Sequence, residues 1–173
     1  MNILSLRPEL FHPLFVHFPI ALTVLCFLTF VGSFFSSNDW WKISSRAFLY
    51  VSLMLIGLAL FTGDFAEDAV KKFLCDRHEF REHEEHAYQT LYILILALLL
   101  DMAMLWSEKK KPSLKKYFKA LLLFVLAASN ISLAITGHHG ANMVYEQGAA
   151  VKNITVDCSK FPAQAPLKEK EED

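Results

Sequence analysis

Seven histidines, at positions 12, 17, 78, 83, 86, 138 and 139, are the residues of this chain best suited to chemistry. Neutral imidazoles at the edge of an apolar run can ligate haem iron or a transition-metal ion. In "HPLFVHFPIAL" (12–22), His12 and His17 are five residues apart, about 140° around a helix, so they do not share a face. Pro13 suits a first helical turn, whereas Pro19 frees a carbonyl one turn back and can kink the helix around His17. In "HEFREHEEHA" (78–87), His83 and His86 are each preceded four residues earlier by a carboxylate, Glu79 and Glu82. Such a carboxylate either orients an imidazole by accepting its second ring proton or joins it as a metal ligand. "TGHHGANMVYEQG" (136–148) adds His138 and His139 beside Gly137 and Gly140, a pattern that reads as a helix terminus.

The elements that must position these groups are apolar. Hydrophobic residues make up 54% of the 173, concentrated in the runs 14–35, 47–62, 87–106 and 117–136. Each approaches or exceeds the roughly 20 residues that cross a hydrocarbon core. The first run is too long for a signal-peptide core and no small-x-small cleavage site follows it. The expected fold is all-α: an integral membrane four-helix bundle with helices at about 14–36, 44–63, 86–106 and 116–137. A short interfacial helix follows at 141–151, and residues 152–173 have the composition of a polar, disordered tail. No basic aromatic patch or phosphate loop points to nucleic acid.

The loop 107–119 carries six lysines against one acid, Glu108, which places it in the cytoplasm. Four spans then put both termini, the loop 63–86 and all seven histidines on the opposite face, the periplasmic side of a bacterial inner membrane. Cys75 and Cys158 fall on that oxidising side and are expected to pair, while Cys26 lies in mid-membrane. Asp101 is the one acid inside a span; it lies near the lysine end, where Arg46 or Lys119 can pair with it. Ser129, Asn130 and Ser132 read as groups that hydrogen-bond between helices.

An internal repeat is also legible. "HFPIALTVL" from His17 lies on "HAYQTLYIL" from His86, and Thr62-Gly63 lies on Thr136-Gly137, suggesting two pseudo-symmetric helical hairpins. On that register His17 and His86 are equivalent and face one axis, as bis-histidine haem ligation requires.

The two end motifs and the "HA" that opens the third run resemble a widespread family of bacterial four-helix membrane proteins catalogued as a domain of unknown function. Its members carry HPxxVHFPIAL and a GHxGGxLVYxHG-like closing motif, and some are fused to or encoded beside cytochrome c modules. The resemblance covers about residues 10 to 151. It implies the four-helix architecture and electron-transfer company, with no established activity. This chain has Ala141 where the family's second glycine stands and Gln147 where its late histidine stands. The expectation is therefore a membrane b-type haem protein exchanging electrons with a c-type cytochrome or another redox subunit. His17 and His86 are the expected iron ligands, with His12 and His138 as supporting groups or ligands of a second haem. A transition-metal site for zinc, iron or copper drawing on His83, Glu79, Glu82 and His139, and a scaffold subunit without a cofactor, are the alternatives.

Overall fold

The structure, a computed structural model, describes residues 10–72, 74–151 and 156–161. Four helices dominate: α1 Phe11–Phe35, α2 Asp39–Lys71, α3 His78–Lys110 and α4 Lys115–Tyr145. No strand occurs among the described residues. All four helices are long and apolar enough to cross a membrane.

Three of the helices outrun the apolar stretches that announced them. At 33 residues, α2 and α3 are each about 50 Å long, well beyond a hydrocarbon core of about 30 Å. The excess stands mostly at the histidine end, where α2 continues past Thr62 to Lys71 and α3 begins at His78 rather than near residue 86. The break expected at Gly137 and Gly140 does not occur either. Helix α4 runs through both glycines to Tyr145, so the first residues of the expected interfacial helix form its last turns. That end is closed by Gly148 at φ 65°, with the Ala149 N–H donating to the Met143 carbonyl at 2.9 Å.

Helix α1 packs chiefly on α2 and α3 chiefly on α4, with lesser α1–α4 and α2–α3 seams, leaving α1 and α3 diagonal across the bundle. The repeat is written in burial rather than in identity. Moving the buried positions of α1 (Pro19, Thr23, Cys26, Thr29, Phe30 and Ser33) forward by 71 residues lands on Thr90, Leu94, Ala97, Leu100, Asp101 and Met104, all of which are buried in α3. A shift of 77 likewise carries Ser45, Leu49, Ser52, Ala59 and Ala66 of α2 onto Leu122, Leu126, Ser129, Thr136 and Met143 of α4. Two similar hairpins therefore face each other about an axis along the bundle.

The seams use small residues. Gly32 lets α1 lie against the Trp41 ring so closely that an added Cβ would stand 2.3 Å from it. Cys26 and Ser45 meet at a shared contact, Ser45 donating to the Cys26 carbonyl at 3.2 Å. Of the three polar residues expected to link helices, only Ser132 does so, at 2.8 Å from Thr90 Oγ1; Ser129 and Asn130 donate to Leu126 of their own helix. At the lysine end Asp101, 2% exposed, accepts Arg46 Nε at 3.0 Å on both oxygens and the Tyr50 hydroxyl at 3.0 Å. The one intramembrane acid is thus a structural pair, as expected of it.

Candidate functional site

Because α2, α3 and α4 project beyond the apolar runs, their ends and the start of α1 enclose a cleft of about 460 Å³. Its wall is largely apolar, with Val16, Ile20, Leu60, Val70, Phe80 and Met143 among the contributors, and His12, His17 and His83 open onto it. Asp64, Glu67 and Glu84 also line it, Glu67 being ion-paired with Lys71.

His12 and His83 occupy equivalent places in the two hairpins. The His12 Nδ1–H points at the Ala59 carbonyl at 2.9 Å, and the His83 Nδ1–H at the Thr136 carbonyl at 2.8 Å. Ala59 and Thr136 are themselves related by the shift of 77 residues, as are Gly63 and Gly140 one turn further on. Each glycine provides the clearance for its histidine: a Cβ at Gly63 would lie 3.3 Å from His12 Nδ1, and one at Gly140 3.2 Å from His83 Nδ1. The two rings meet across the diagonal of the bundle with centroids 5.9 Å apart and planes at 87°. With Nδ1 of each imidazole committed to a carbonyl, Nε2 is the nitrogen left for a ligand.

The pairing expected between His17 and His86 is not the one the fold produces. His17 lines the cleft, exposed, with Nδ1 on the Pro13 carbonyl at 2.6 Å, and its equivalent in the other hairpin is Tyr88, which lines the cleft as well. His86 lies outside the cleft, stacked on His139 with centroids 5.5 Å apart and planes at 7°. Glu79 accepts from His139 Nδ1 at 2.7 Å, and Glu82 lies between His78 and His86, at 3.6 and 3.9 Å. His138 is exposed at the side of this second group, 5.8 Å from the His139 ring. The acidic helix entry therefore splits: His83 turns inward to the cleft, and Glu79, Glu82 and His86 turn toward α4.

Gln147, at the family's late-histidine position, is 2% exposed and accepts the Asp76 N–H at 2.7 Å. It ties the turn after α4 to the start of α3 and does not face the cleft. Nearby, Cys75 and Cys158 form the expected disulfide, with Cα atoms 5.2 Å apart, which holds the segment after α4 against the connection between the hairpins. Buried Cys26 keeps its thiol.

A bundle of four membrane-spanning helices in two similar hairpins, with a histidine-lined cleft at one end, defines the class of protein. The particular family follows from the sequence: residues 9–153 match the model described as "Predicted membrane protein (DUF2231)", and the chain belongs to that family. No curated protein and no solved structure matches the chain significantly.

Proposed function

We propose that this protein is a b-type haem protein of the bacterial inner membrane that passes electrons at its periplasmic face, with His12 and His83 as the residues that would hold the haem iron. The observation that carries this reading is the hairpin-related imidazole pair. Each has Nδ1 fixed by a carbonyl of its own hairpin, which leaves Nε2 for a ligand, and the ring centroids stand 5.9 Å apart. Burial lowers the His83 pKa and so favours its neutral, ligating form, and the carbonyl contacts raise the basicity of both rings as ligands. Haem held by these two imidazoles would supply one-electron transfer, and the chain's part would be to hold and shield it; no proton-transfer or nucleophilic residue would be needed.

Two independent features support this sidedness. The lysine-rich connection 107–119 favours a cytoplasmic end, and the disulfide suits an oxidising compartment at the other. The cleft then opens to the periplasm, within reach of a c-type cytochrome or another redox subunit.

One observation favours a second reading. Among the described residues no Lys or Arg lines the cleft, whereas Asp64, Glu67 and Glu84 do, so haem propionates would meet no counter-ion from that lining. A metal ion held by His12 and His83, with water completing its shell, answers to that charge. The oxidised and reduced visible spectrum of the purified protein in detergent separates the two. Haem gives a Soret band with sharp reduced α and β bands; absence of a Soret band from protein expressed with ample haem rejects the first reading.

A further inference from the structure

We infer that Glu82, His86 and His139 form a second metal site, for one divalent transition-metal ion of the zinc class, separate from the cleft. None of the three lines the cleft, and one ligand atom from each lies within 4.8 Å of the others. Glu82 and His86 are one turn apart on α3, the spacing that sets two side chains on one helix face, and His139 comes from α4. Bonds of about 2.1 Å in a tetrahedral site put ligand atoms about 3.4 Å apart. His86 Nε2 and Glu82 Oε2 already stand at 3.9 Å, so binding needs closure by rotamer adjustment of about an ångström and no movement of the helices.

The groups around the three arrange them as metal ligands. His139 gives Nδ1 to the Glu79 carboxylate at 2.7 Å, and His86 has Nδ1 at 3.0 Å from the Gln89 side-chain oxygen. Both imidazoles thereby keep Nε2 for the ion, and Asn142 steadies Glu79 from α4 at 3.3 Å. A carboxylate accepting the second ring proton of a ligating histidine fixes the tautomer and strengthens the ligand. Two neutral imidazoles and one carboxylate are a zinc donor set that leaves a fourth position open to water or to a ligand from solvent.

The pseudo-symmetry supplies an argument of its own. Positions 82, 86 and 139 correspond in the first hairpin to Phe11, Phe15 and Thr62. The same place in the same fold is thus built there without a histidine or a carboxylate. Packing does not require this cluster, and its ligand chemistry belongs to the second hairpin alone.

The test uses the full chain in detergent with its disulfide intact, stripped with chelator and titrated with Zn²⁺ by calorimetry, with Co²⁺ as a visible probe of coordination. One equivalent of Zn²⁺ should bind the unaltered protein, and His86→Ala and His139→Ala should each weaken that binding by 100-fold or more. Glu79→Gln, which keeps the shape of the side chain, should weaken it by about 10- to 100-fold. His83→Ala should leave it unchanged, and haem content should be the same in the Glu79, His86 and His139 variants as in the unaltered chain. Circular dichroism and size-exclusion elution confirm that each variant is folded. Absence of stoichiometric Zn²⁺ in the unaltered protein, or equal binding by folded His139→Ala, overturns the inference. Zn²⁺ lost in His83→Ala but kept in His139→Ala overturns it too, placing the ion in the cleft. Loss of the Glu82–His86–His139 site leaves the haem reading untouched, since that is read from the Soret band, whereas an ion placed in the cleft would favour the metal reading of His12 and His83.

Discussion

The clearance that Gly63 and Gly140 give to His12 and His83 can be removed one methyl group at a time. A Cβ at position 140 would stand 3.2 Å from both Nδ1 and Cε1 of His83, and one at position 63 would stand 3.3 Å from His12 Nδ1. The ring must then retreat by a few tenths of an ångström, loosening a hydrogen bond of 2.8 or 2.9 Å to the helix carbonyl. Losing that bond costs about 1 kcal/mol, which offsets the gain of about 1 kcal/mol expected when Ala replaces a helical Gly. Gly57→Ala is the control, because a Cβ there meets nothing within 4 Å. It should raise the apparent Tm of the detergent-solubilised protein by roughly 2–4 °C. Gly63→Ala and Gly140→Ala should leave Tm nearly where it was and weaken haem retention by about 10- to 100-fold, the usual consequence of disturbing a ligand's supporting contact. If Gly140→Ala raises Tm as much as Gly57→Ala and retains haem equally well, the histidine is not held as described.

Gly32→Ala should destabilise by about 1–3 kcal/mol, since the Trp41 ring lies where the methyl group would go; an apparent Tm unchanged from the parent contradicts that packing. Arg46→Ala leaves the buried Asp101 carboxylate with only the Tyr50 hydroxyl, so a loss of about 3–5 kcal/mol is expected, and Asp101→Asn in the same background should recover much of it in thermal melts. The Cys75–Cys158 bond spans 83 residues and stabilises by at most about 4.5 kcal/mol on chain-entropy grounds; Cys158→Ser should lower Tm while leaving helix content unchanged by circular dichroism. A membrane-impermeant thiol reagent applied to intact spheroplasts should label Ser159→Cys but not Ser113→Cys, and the reverse pattern would invert the assigned sidedness.

The four spans were legible because apolar length alone specifies them, and the disulfide because compartment and count left only one pairing outside the membrane. Helix ends were not. Hydropathy stops at Thr62, Ala87 and Thr136, but the helices continue because their polar extensions pack on one another, through His139 with Glu79 and through His83 with the Thr136 carbonyl. The repeat was visible, yet its register was off by two residues in α1 and α3 and by three in α2 and α4. His17, His86 and the two Thr-Gly pairs are the strongest identities between the halves, whereas the fold repeats the spacing of small and buried positions. Gly63 with Gly140 and His12 with His83 carried the correct register in the sequence, but "TG" offered the nearer match. The imidazole stack of His86 on His139 depends on the approach of α3 to α4 and has no local signal.

The proposed function turns on His12 and His83 as an equivalent pair holding one haem between the two hairpins. Reduced-minus-oxidised spectra and haem-to-protein ratios of His12→Ala, His83→Ala, His17→Ala and His86→Ala, purified in parallel from cells with ample haem, address it most directly. The first two should lose the six-coordinate spectrum to the same extent, with the helices still inserted, and His86→Ala should retain both haem and spectrum. His17→Ala should retain haem with a shifted potential, since its ring lines the cleft. Full haem and an unchanged spectrum in both His12→Ala and His83→Ala, or loss in His17→Ala and His86→Ala instead, would contradict it.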